Sequence, residues 1–256
     1  MNASLEAMHA ATAARGRPPR IALIIPTLNE EGSIGHVLAE VSWHIIARVI
    51  VADGGSTDAT AERARRAGAE VVAVGRGYGR ACLAAAQAAS DADILVFMDG
   101  DGADDPATAR ELVAPIEAGA ADFVIGSRVM AERGSMGWHQ RWAGLGLGLA
   151  MRSLYGVRYT DMCAFRAIRR DVLLGLGMRE MTYGWNLEMQ MRAARAKLRI
   201  LEVPVSSRRR IAGASKVAGS LCGSLKAGSR ILMTFARLAM ERDMPSQPAR
   251  EARGKG

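Results

Sequence analysis

Short runs rich in strand-forming residues alternate with Ala-rich stretches along the first half of the chain. The runs cover residues 21–25, 48–52, 70–74, 93–98 and 122–126, and amphipathic segments of helical periodicity separate them. Such alternation is typical of βαβ units, and it predicts an α/β domain with a mostly parallel sheet and helices on both faces. A helix near residues 184–197 and a last strand at 199–205 are expected in the second half.

Polar turns follow three of these runs at their carboxyl ends. Asn29 and Glu30 follow the first run, Asp53 follows the second, and Asp99 and Asp101 follow the fourth. In open α/β sheets, ligands bind in the crevice outside the carboxyl ends of the strands. We therefore expect these side chains to converge on one crevice.

Asp99 and Asp101 form a DxD triplet with glycines between and after the two carboxylates. Two hard oxygen ligands this close suit Mg²⁺ or Mn²⁺ bridging to a diphosphate, because Mg²⁺ usually takes one or two carboxylates and completes its shell with phosphate and water. A lone triplet also forms simple Asx turns. The polar ends of the two other strands favour the metal interpretation.

These elements together resemble the family 2 glycosyltransferases, whose Rossmann-like, nucleotide-sugar-binding fold is called GT-A. The resemblance begins with three motifs: Ile24-Ile25-Pro26-Thr27-Leu28-Asn29-Glu30-Glu31, Val51-Ala52-Asp53-Gly54-Gly55-Ser56-Thr57-Asp58 and Met98-Asp99-Gly100-Asp101. A later set continues it: Gly126-Ser127-Arg128, Thr160-Asp161, Phe165-Arg166, Tyr183-Gly184-Trp185 with Glu188, and Arg210 to Lys216. The later set looks like the branch that transfers sugars to dolichyl or undecaprenyl phosphate, and the resemblance covers about residues 20 to 240.

The resemblance implies a role for each matching residue. Pro26, Thr27, Asn29, Glu30 and Gly54 would line the nucleoside pocket, where Asp53 would accept a hydrogen bond from the base. Asp101 would ligate Mg²⁺ or Mn²⁺ against the donor diphosphate, and Asp99 would contact the ribose or a metal-bound water. Phosphate contacts would come from Arg128, Arg210, Ser215 and Lys216. Glu30 is equally a candidate for capping the next helix, which begins beside it.

One departure from the branch concerns residue 103. Members of the branch often have Gln or a similar ligand two positions after the second Asp, where this chain has Ala103. Asp104 or water is then expected to replace that ligand. A catalytically inert relative that only binds nucleotide stays an alternative on this ground.

The identity of the acceptor decides whether a protein base is needed. Family 2 enzymes invert the anomeric centre; a lipid phosphate is ionised near neutral pH and needs no base, whereas a hydroxyl acceptor does. Asp161, ranked first, and Glu188 are the candidates; the alternative for each is a structural role as a partner for Arg166, Arg128 or a neighbouring backbone group. The expected function is transfer of a hexose from a UDP- or GDP-linked sugar to a polyprenyl phosphate. A glycerolipid or a small hydroxyl compound is the alternative acceptor.

Positive charge is concentrated at the carboxyl end of the chain. The net charge is +8, and residues 206–256 hold 11 basic against 3 acidic residues, so the rest of the chain is balanced. Helical periodicity over residues 216–240 predicts one apolar and one basic face. The apolar face would hold Leu221, Leu225, Gly228, Leu232, Phe235 and Ala239, and the basic face Lys216, Lys226, Arg230 and Arg237.

Two interpretations of this amphipathic helix stay open. It either packs on the core with its basic face in solvent, or lies on anionic lipid with its basic residues at the headgroups. Nucleic acid is a poor candidate partner, because the basic residues have no aromatic stacking platform among them and no nucleic-acid-binding motif is present.

We predict four segments: a disordered tail at 1–19, a GT-A domain at 20–216, the amphipathic helix at 217–241 and a disordered basic tail at 242–256. The longest apolar run, Trp142 to Met151, has ten residues, about half of what a membrane-spanning helix requires. The three cysteines form no CxxC pair, which fits a reducing compartment. The expected location is therefore the cytoplasm, peripheral on the inner face of the cytoplasmic membrane.

Overall fold

The computed structural model describes residues 17–128, 148–149, 151–212 and 221–241, apart from the side chains of residues 221–228, 230 and 231. Within these ranges, seven strands form one mixed sheet with helices packed against it. The strands are β1 (Ile21–Thr27), β2 (Ile46–Asp53), β3 (Glu70–Ala73), β4 (Ile94–Phe97), β5 (Phe123–Ser127), β6 (Arg166–Arg169) and β7 (Ile200–Pro204). The helices are α1 (Ile34–Ala39), α2 (Thr60–Arg66), α3 (Tyr78–Ala88), α4 (Ala109–Glu117), α5 (Arg170–Gly175), α6 (Trp185–Arg195) and α7 (Leu221–Met240).

The strand order is β3-β2-β1-β4-β6-β5-β7. Strand β1 pairs in parallel with both β2 and β4, β2 with β3, and β5 with β7. Thr27 lies opposite Asp53 in register, and Ile24 lies opposite Phe97. The carboxyl ends of β1, β2 and β4 therefore meet at one edge of the sheet, as the turn chemistry predicts.

The predicted α/β sheet is confirmed, with one strand added. Strand β6 is antiparallel to both of its neighbours, β4 and β5, and separates them. It has only four residues and begins and ends with arginine, so its sequence has neither an apolar run nor an alternating pattern. Burial on both sides, with Arg166 completely enclosed, makes it a central strand.

The core lies on both faces of the sheet. All seven residues of β1 and all four of β4 are buried, which is why both read as continuous apolar runs and not as alternating ones. Helix α3 packs against β1 and β2, and Gly79 lets its first turn approach the backbone before α6. A Cβ atom at Gly79 would lie 2.2 Å from the Glu180 carbonyl oxygen.

Helix α7 presents a different face to the protein from the one its periodicity predicts. Thr234 and Leu238 are buried against the domain, whereas Leu232 of the predicted apolar face is 70% exposed. Phe235 is half-buried and Ala239 is exposed. The expectation that the predicted apolar face packs on the core is therefore wrong for Leu232 and Ala239.

The basic face of this helix is also used differently. The Arg237 guanidinium lies 3.7 Å from Glu180 Oε2 and 3.8 Å from Glu188 Oε1, both carboxylates of the domain. Arg237 thus holds α7 to the domain. In the part of the chain that the structure describes, no helix has the length and apolar character needed to cross a membrane.

Candidate active site

The turns after β1 and β2 form one hydrogen-bonded unit. The Gly54 amide donates to the Thr27 carbonyl (2.8 Å), and the Thr57 amide donates to Asn29 Oδ1 (2.8 Å). In return the Asn29 amide donates to Ser56 Oγ (2.9 Å). Asn29 has a positive φ of 51°, a conformation that Asn tolerates better than most residues. The first two motifs therefore fold into a single platform at the edge of the sheet.

Four further residues expected to contact the nucleoside lie on or beside this platform. Both Asp53 oxygens accept hydrogen bonds from Ser56, through its amide (3.2 Å) and its hydroxyl (2.5 Å). Glu30 Oε2 accepts a hydrogen bond from Ser33 Oγ just before α1 (3.2 Å), but no side chain of the described residues caps this helix, so the capping alternative is not the observed one. Thr27 Oγ1 is buried and has no hydrogen-bond partner among the described residues. Pro26 is buried within β1.

The DxD turn follows β4 and holds two carboxylates with different surroundings. Asp101 is 4% exposed, and its Oδ1 accepts a hydrogen bond from the Ala103 amide (2.8 Å). Burial raises the pKa of Asp99 to about 6, and the neighbouring charge of Asp101 adds to the shift. Gly100 is required between them because a Cβ atom there would lie 2.8 Å from Thr27 Cγ2.

Asp104, three residues after Asp101, is a further buried acid of this turn. It is 4% exposed, and burial followed by the Asp99 charge raises its pKa to about 7. Its carboxylate accepts two long hydrogen bonds, one from the Asp99 amide (3.5 Å) and one from the Cys163 thiol (4.0 Å). Among the described residues there is no group of three or more His, Cys, Asp or Glu side chains placed to hold a metal ion.

A cavity of about 350 Å³ opens over this turn. Its lining residues are Asp99, Asp101, Ala103, Asp104, Arg128, Met162, Ala164, Asn186, Arg208 and Arg210. Three carboxylates and three guanidinium groups therefore line one cavity. Asp99, Asp101, Arg128 and Arg210, all expected at the site from sequence, are brought together here.

Arg128 enters the cavity from the end of β5 and is held by Asp161. Two parallel contacts of 2.8 Å join the groups, Nε to Oδ2 and Nη2 to Oδ1, and the Arg128 amide also donates to Oδ2 (3.1 Å). This bonding holds the pKa of Arg128 above its ordinary value. Asp161 is 6% exposed and is not part of the cavity lining. Of the two arginine partners expected for Asp161, the structure selects Arg128.

Glu188 lies away from the cavity, in the first turn of α6. It is completely buried; Oε2 accepts the amides of Arg179 (2.9 Å) and Glu180 (2.6 Å), and Oε1 accepts Arg192 Nε (2.9 Å). A carboxylate enclosed in this way cannot reach the hydroxyl of an acceptor in the cavity. Glu188 is therefore enclosed as a structural group, and its arginine partner is Arg192, not Arg128 or Arg166; the other donors are backbone amides.

Arg210 reaches the DxD turn from the segment after β7. Its Nη2 lies 2.7 Å from Asp101 Oδ2. Ser215 and Lys216, expected to contact phosphate, lie outside the described residues.

Sequence reasoning missed three residues of the cavity. Arg208 lines the cavity, and its Nε donates to the Gly102 carbonyl (2.8 Å). Asn186 has no motif that identifies it. Asp104 is expected from sequence only as a substitute ligand. Its position five residues after Asp99, in the same polar turn, indicates that the two carboxylates lie close together.

The comparisons with known proteins agree with this geometry. Residues 22–177 match the model of the family described as Glycosyl transferase family 2. The chain belongs to this family. It is a glycosyltransferase, and the family expected from the three motifs is confirmed.

Relatives in this family differ in how far their activities are described. The chain is 38% identical over 206 residues to an uncharacterized glycosyltransferase of Mycobacterium tuberculosis, covering 80% of this chain and 93% of the relative. It is 32% identical over 223 residues to an undecaprenyl-phosphate mannosyltransferase of Micrococcus luteus, covering 80% and 90%.

Among solved structures, the chain resembles glucosyl-3-phosphoglycerate synthase of Mycobacterium tuberculosis in complex with phosphoglyceric acid. The TM-score is 0.71 at 25% identity, over 92% of this chain and 84% of that chain. This likeness confirms the GT-A fold expected from the sequence.

Proposed function

We propose that this glycosyltransferase moves a hexose, with inversion, from a UDP- or GDP-linked sugar to a polyprenyl phosphate such as dolichyl or undecaprenyl phosphate. The observation that carries the proposal is that three carboxylates and three arginines line one cavity of about 350 Å³. The carboxylates suit a divalent cation with a diphosphate donor, and the arginines suit an anionic acceptor.

The carboxylates of the DxD turn have the donor chemistry that a divalent cation requires. Asp99 and Asp101 supply hard carboxylate oxygens, two being the number that Mg²⁺ usually takes from protein when substrate phosphates complete its shell. When bound, Mg²⁺ or Mn²⁺ would neutralise negative charge that develops on the departing nucleoside diphosphate. A glucosyl-3-phosphoglycerate synthase of the same fold has been solved with Mn²⁺ and UDP-glucose, which supports this choice.

The three arginines of the cavity would bind the acceptor phosphate and orient it. Arg128 presents a planar guanidinium whose direction is fixed by Asp161, and Arg208 and Arg210 add positive charge from the segment after β7. An ionised phosphate oxygen attacks the sugar C1 as the bond to the nucleoside diphosphate breaks, so no protein base takes a proton. In this proposal Asp161 positions Arg128 and is not itself the base.

The nucleoside would lie on the platform formed by the first two turns. Pro26, Thr27, Asn29, Glu30, Asp53 and Gly54 are proposed as its contacts. The buried, unpartnered hydroxyl of Thr27 supports this placement, because an unsatisfied buried hydroxyl is costly unless a ligand completes it. Ser215 and Lys216 are proposed as further phosphate contacts.

A lipid acceptor requires contact with a membrane surface, and α7 supports one. Leu232, Met233 and Met240 are 70%, 60% and 74% exposed on this helix, which also lies in the basic part of the chain. We propose that this exposed apolar face of α7 lies in the interface of an anionic bilayer, on its cytoplasmic side. The transferase domain would then extend over residues 20–216 and the membrane helix over 217–241. The tails at 1–19 and 242–256 would belong to neither.

A second acceptor class is favoured by one comparison. The structurally similar synthase was solved with phosphoglyceric acid, a water-soluble phosphate compound. The same three arginines would suit its phosphate and carboxylate. A glycerolipid or other small hydroxyl acceptor would additionally need a base, for which Asp161 is the remaining candidate.

An acceptor panel tests the proposal. Purified full-length protein with Mn²⁺ is incubated with radiolabelled UDP- and GDP-sugars and, in separate reactions, undecaprenyl phosphate in vesicles, phosphoglycerate, diacylglycerol or no acceptor. Label is expected in the organic phase only with the polyprenyl phosphate. Equal transfer to phosphoglycerate without lipid would overturn the lipid assignment, and calorimetric titration of the same nucleotide sugars identifies the donor.

A further inference from the structure

The segment at residues 205–212, here called the strap, crosses directly over the DxD turn. Ser207 forms an antiparallel bridge with Asp104, and the Arg208 amide donates to the Ala103 carbonyl (2.9 Å). The Ile211 amide donates to the Asp101 carbonyl (3.1 Å). The strap is therefore fastened by backbone hydrogen bonds to three successive parts of the turn.

Side-chain packing brings the strap close to two glycines. A Cβ atom at Gly102, which has a φ of +79°, would lie 2.5 Å from Ile211 Cδ1, and one at Gly32 would lie 2.7 Å from Ala212 Cβ. Positions 32 and 102 both require glycine for this approach, because a side chain there would displace the strap. Arg208 adds an ion pair with Glu40 at the outer edge.

Within this arrangement Arg210 is placed on the carboxylate expected to ligate the cation. Asp101 Oδ1 is taken by the Ala103 amide (2.8 Å) and Oδ2 by the Arg210 guanidinium (2.7 Å). The Asp101 side chain is 6% exposed, whereas Arg210 is 33% exposed. The guanidinium therefore approaches from the solvent side and is free to withdraw in that direction.

We propose that Arg210 is a positioning residue that exchanges partners, pairing with Asp101 before the divalent cation binds and moving to a substrate phosphate when the cation takes Asp101 Oδ2. This inference rests on the proposed metal-dependent transfer. Two positive charges, the divalent cation and the guanidinium, would repel each other if both were bound to that oxygen. Arrival of the cation thus releases Arg210, and with it one of the contacts that hold the strap.

The exchange is tested by Mn²⁺ binding in the absence of donor and acceptor, followed by electron paramagnetic resonance of free Mn²⁺. Arg210→Gln removes the competing guanidinium and is expected to bind Mn²⁺ about two- to fivefold more tightly than wild type, the range set by a partly exposed ion pair. Arg209→Gln is the matched control, because it makes the same change of charge at the neighbouring, exposed position. Circular dichroism verifies that both variants fold.

An equal or weaker Mn²⁺ affinity in Arg210→Gln would overturn the exchange, as would an equal gain in Arg209→Gln, which would indicate a general effect of charge. Absence of Mn²⁺ binding in both wild type and Arg210→Gln would overturn it too.

A second readout is amide hydrogen exchange of the strap. Mn²⁺ is expected to speed exchange in wild type and to leave Arg210→Gln unchanged; no effect in wild type would count against the proposal. Neither measurement needs a sugar donor or an acceptor. Failure of the acceptor panel therefore leaves this inference standing, and an active enzyme with unchanged Mn²⁺ affinity in Arg210→Gln refutes the exchange alone.

Discussion

Arg128 and Asp161 form a two-pronged ion pair, with Nε to Oδ2 and Nη2 to Oδ1 both at 2.8 Å. The pair joins the end of β5 to the loop before β6, and only the arginine lines the cavity. The Asp161 carboxylate, which sequence reasoning ranks first as a base, therefore orients the Arg128 guanidinium. This distinction has measurable consequences.

Asp161→Asn and Arg128→Gln are each expected to lower transfer by about 10- to 100-fold, because both remove the fixed direction of the guanidinium. The double variant should lose little more than either single one, since the two residues act as a unit. Steady-state rates of the four proteins form the test. Additive losses, or an acidic limb of the pH–rate profile that disappears only in Asp161→Asn, would instead favour a role as base.

Asp101→Asn is expected to lower transfer by at least about 100-fold while the protein keeps its fold, because it removes charge at the donor diphosphate. Glu111→Gln, an exposed acid in the first turn of α4, is the control and should keep wild-type rates. Rates at saturating Mn²⁺ and thermal melting check both. Full activity in Asp101→Asn would refute the assignment of the metal site to the DxD turn.

Glu188→Gln is expected to destabilise the protein by about 2–4 kcal/mol, because it removes the charge of a completely buried carboxylate that pairs with the half-buried Arg192. The kcat of the folded fraction should stay near wild type. Glu62→Gln, in an exposed pair with Arg66, should change stability by less than about 0.5 kcal/mol. Urea unfolding and kcat are measured together, and a loss of kcat by about 100-fold or more at unchanged stability would restore Glu188 as a base.

The raised pKa of Asp104, about 7, makes folding stability depend on pH. Between about pH 4 and 7 the folded protein keeps a proton on Asp104 that the unfolded chain, with a pKa of about 4, has released. The stabilisation from this proton is complete below about pH 4 and is lost as the pH rises through about 7. Asp104→Asn should flatten this decline and be more stable than wild type near pH 8. Asp105→Asn is the neighbouring control, and urea unfolding without divalent cation near pH 5 and pH 8 provides the test; an unchanged slope in Asp104→Asn would contradict it.

The exposed apolar face of α7 is tested with Leu232→Ser/Met233→Ser. This variant should pellet less with anionic phospholipid vesicles, because it removes two exposed apolar side chains while Thr234 and Leu238 still fasten the helix. Leu174→Ser, at an exposed position on α5, should pellet like wild type. Unchanged pelleting of the α7 variant would move the membrane contact to another part of the chain.

The sequence predicts the elements whose signal is local. Apolar runs become the buried strands β1 and β4 and the buried second half of β2, and the polar turns after them meet because parallel strands end at the same edge. The DxD turn and the first two motifs follow from the same rule. No local signal of this kind exists for β6, whose four residues become a strand through pairing with β4 and β5 on its two sides.

What only the tertiary structure decides is the partner of each charged group. Asp161 and Glu188 are both acids of the motifs that carry the family resemblance, yet one directs Arg128 at the cavity and the other is enclosed beside Arg192. In the same way Arg210 pairs with Asp101, and α7 buries Thr234 and Leu238 while Leu232 faces solvent. Residue type and helical period determine what a side chain is able to do, whereas burial and the distance to a partner over long stretches of chain determine what it does.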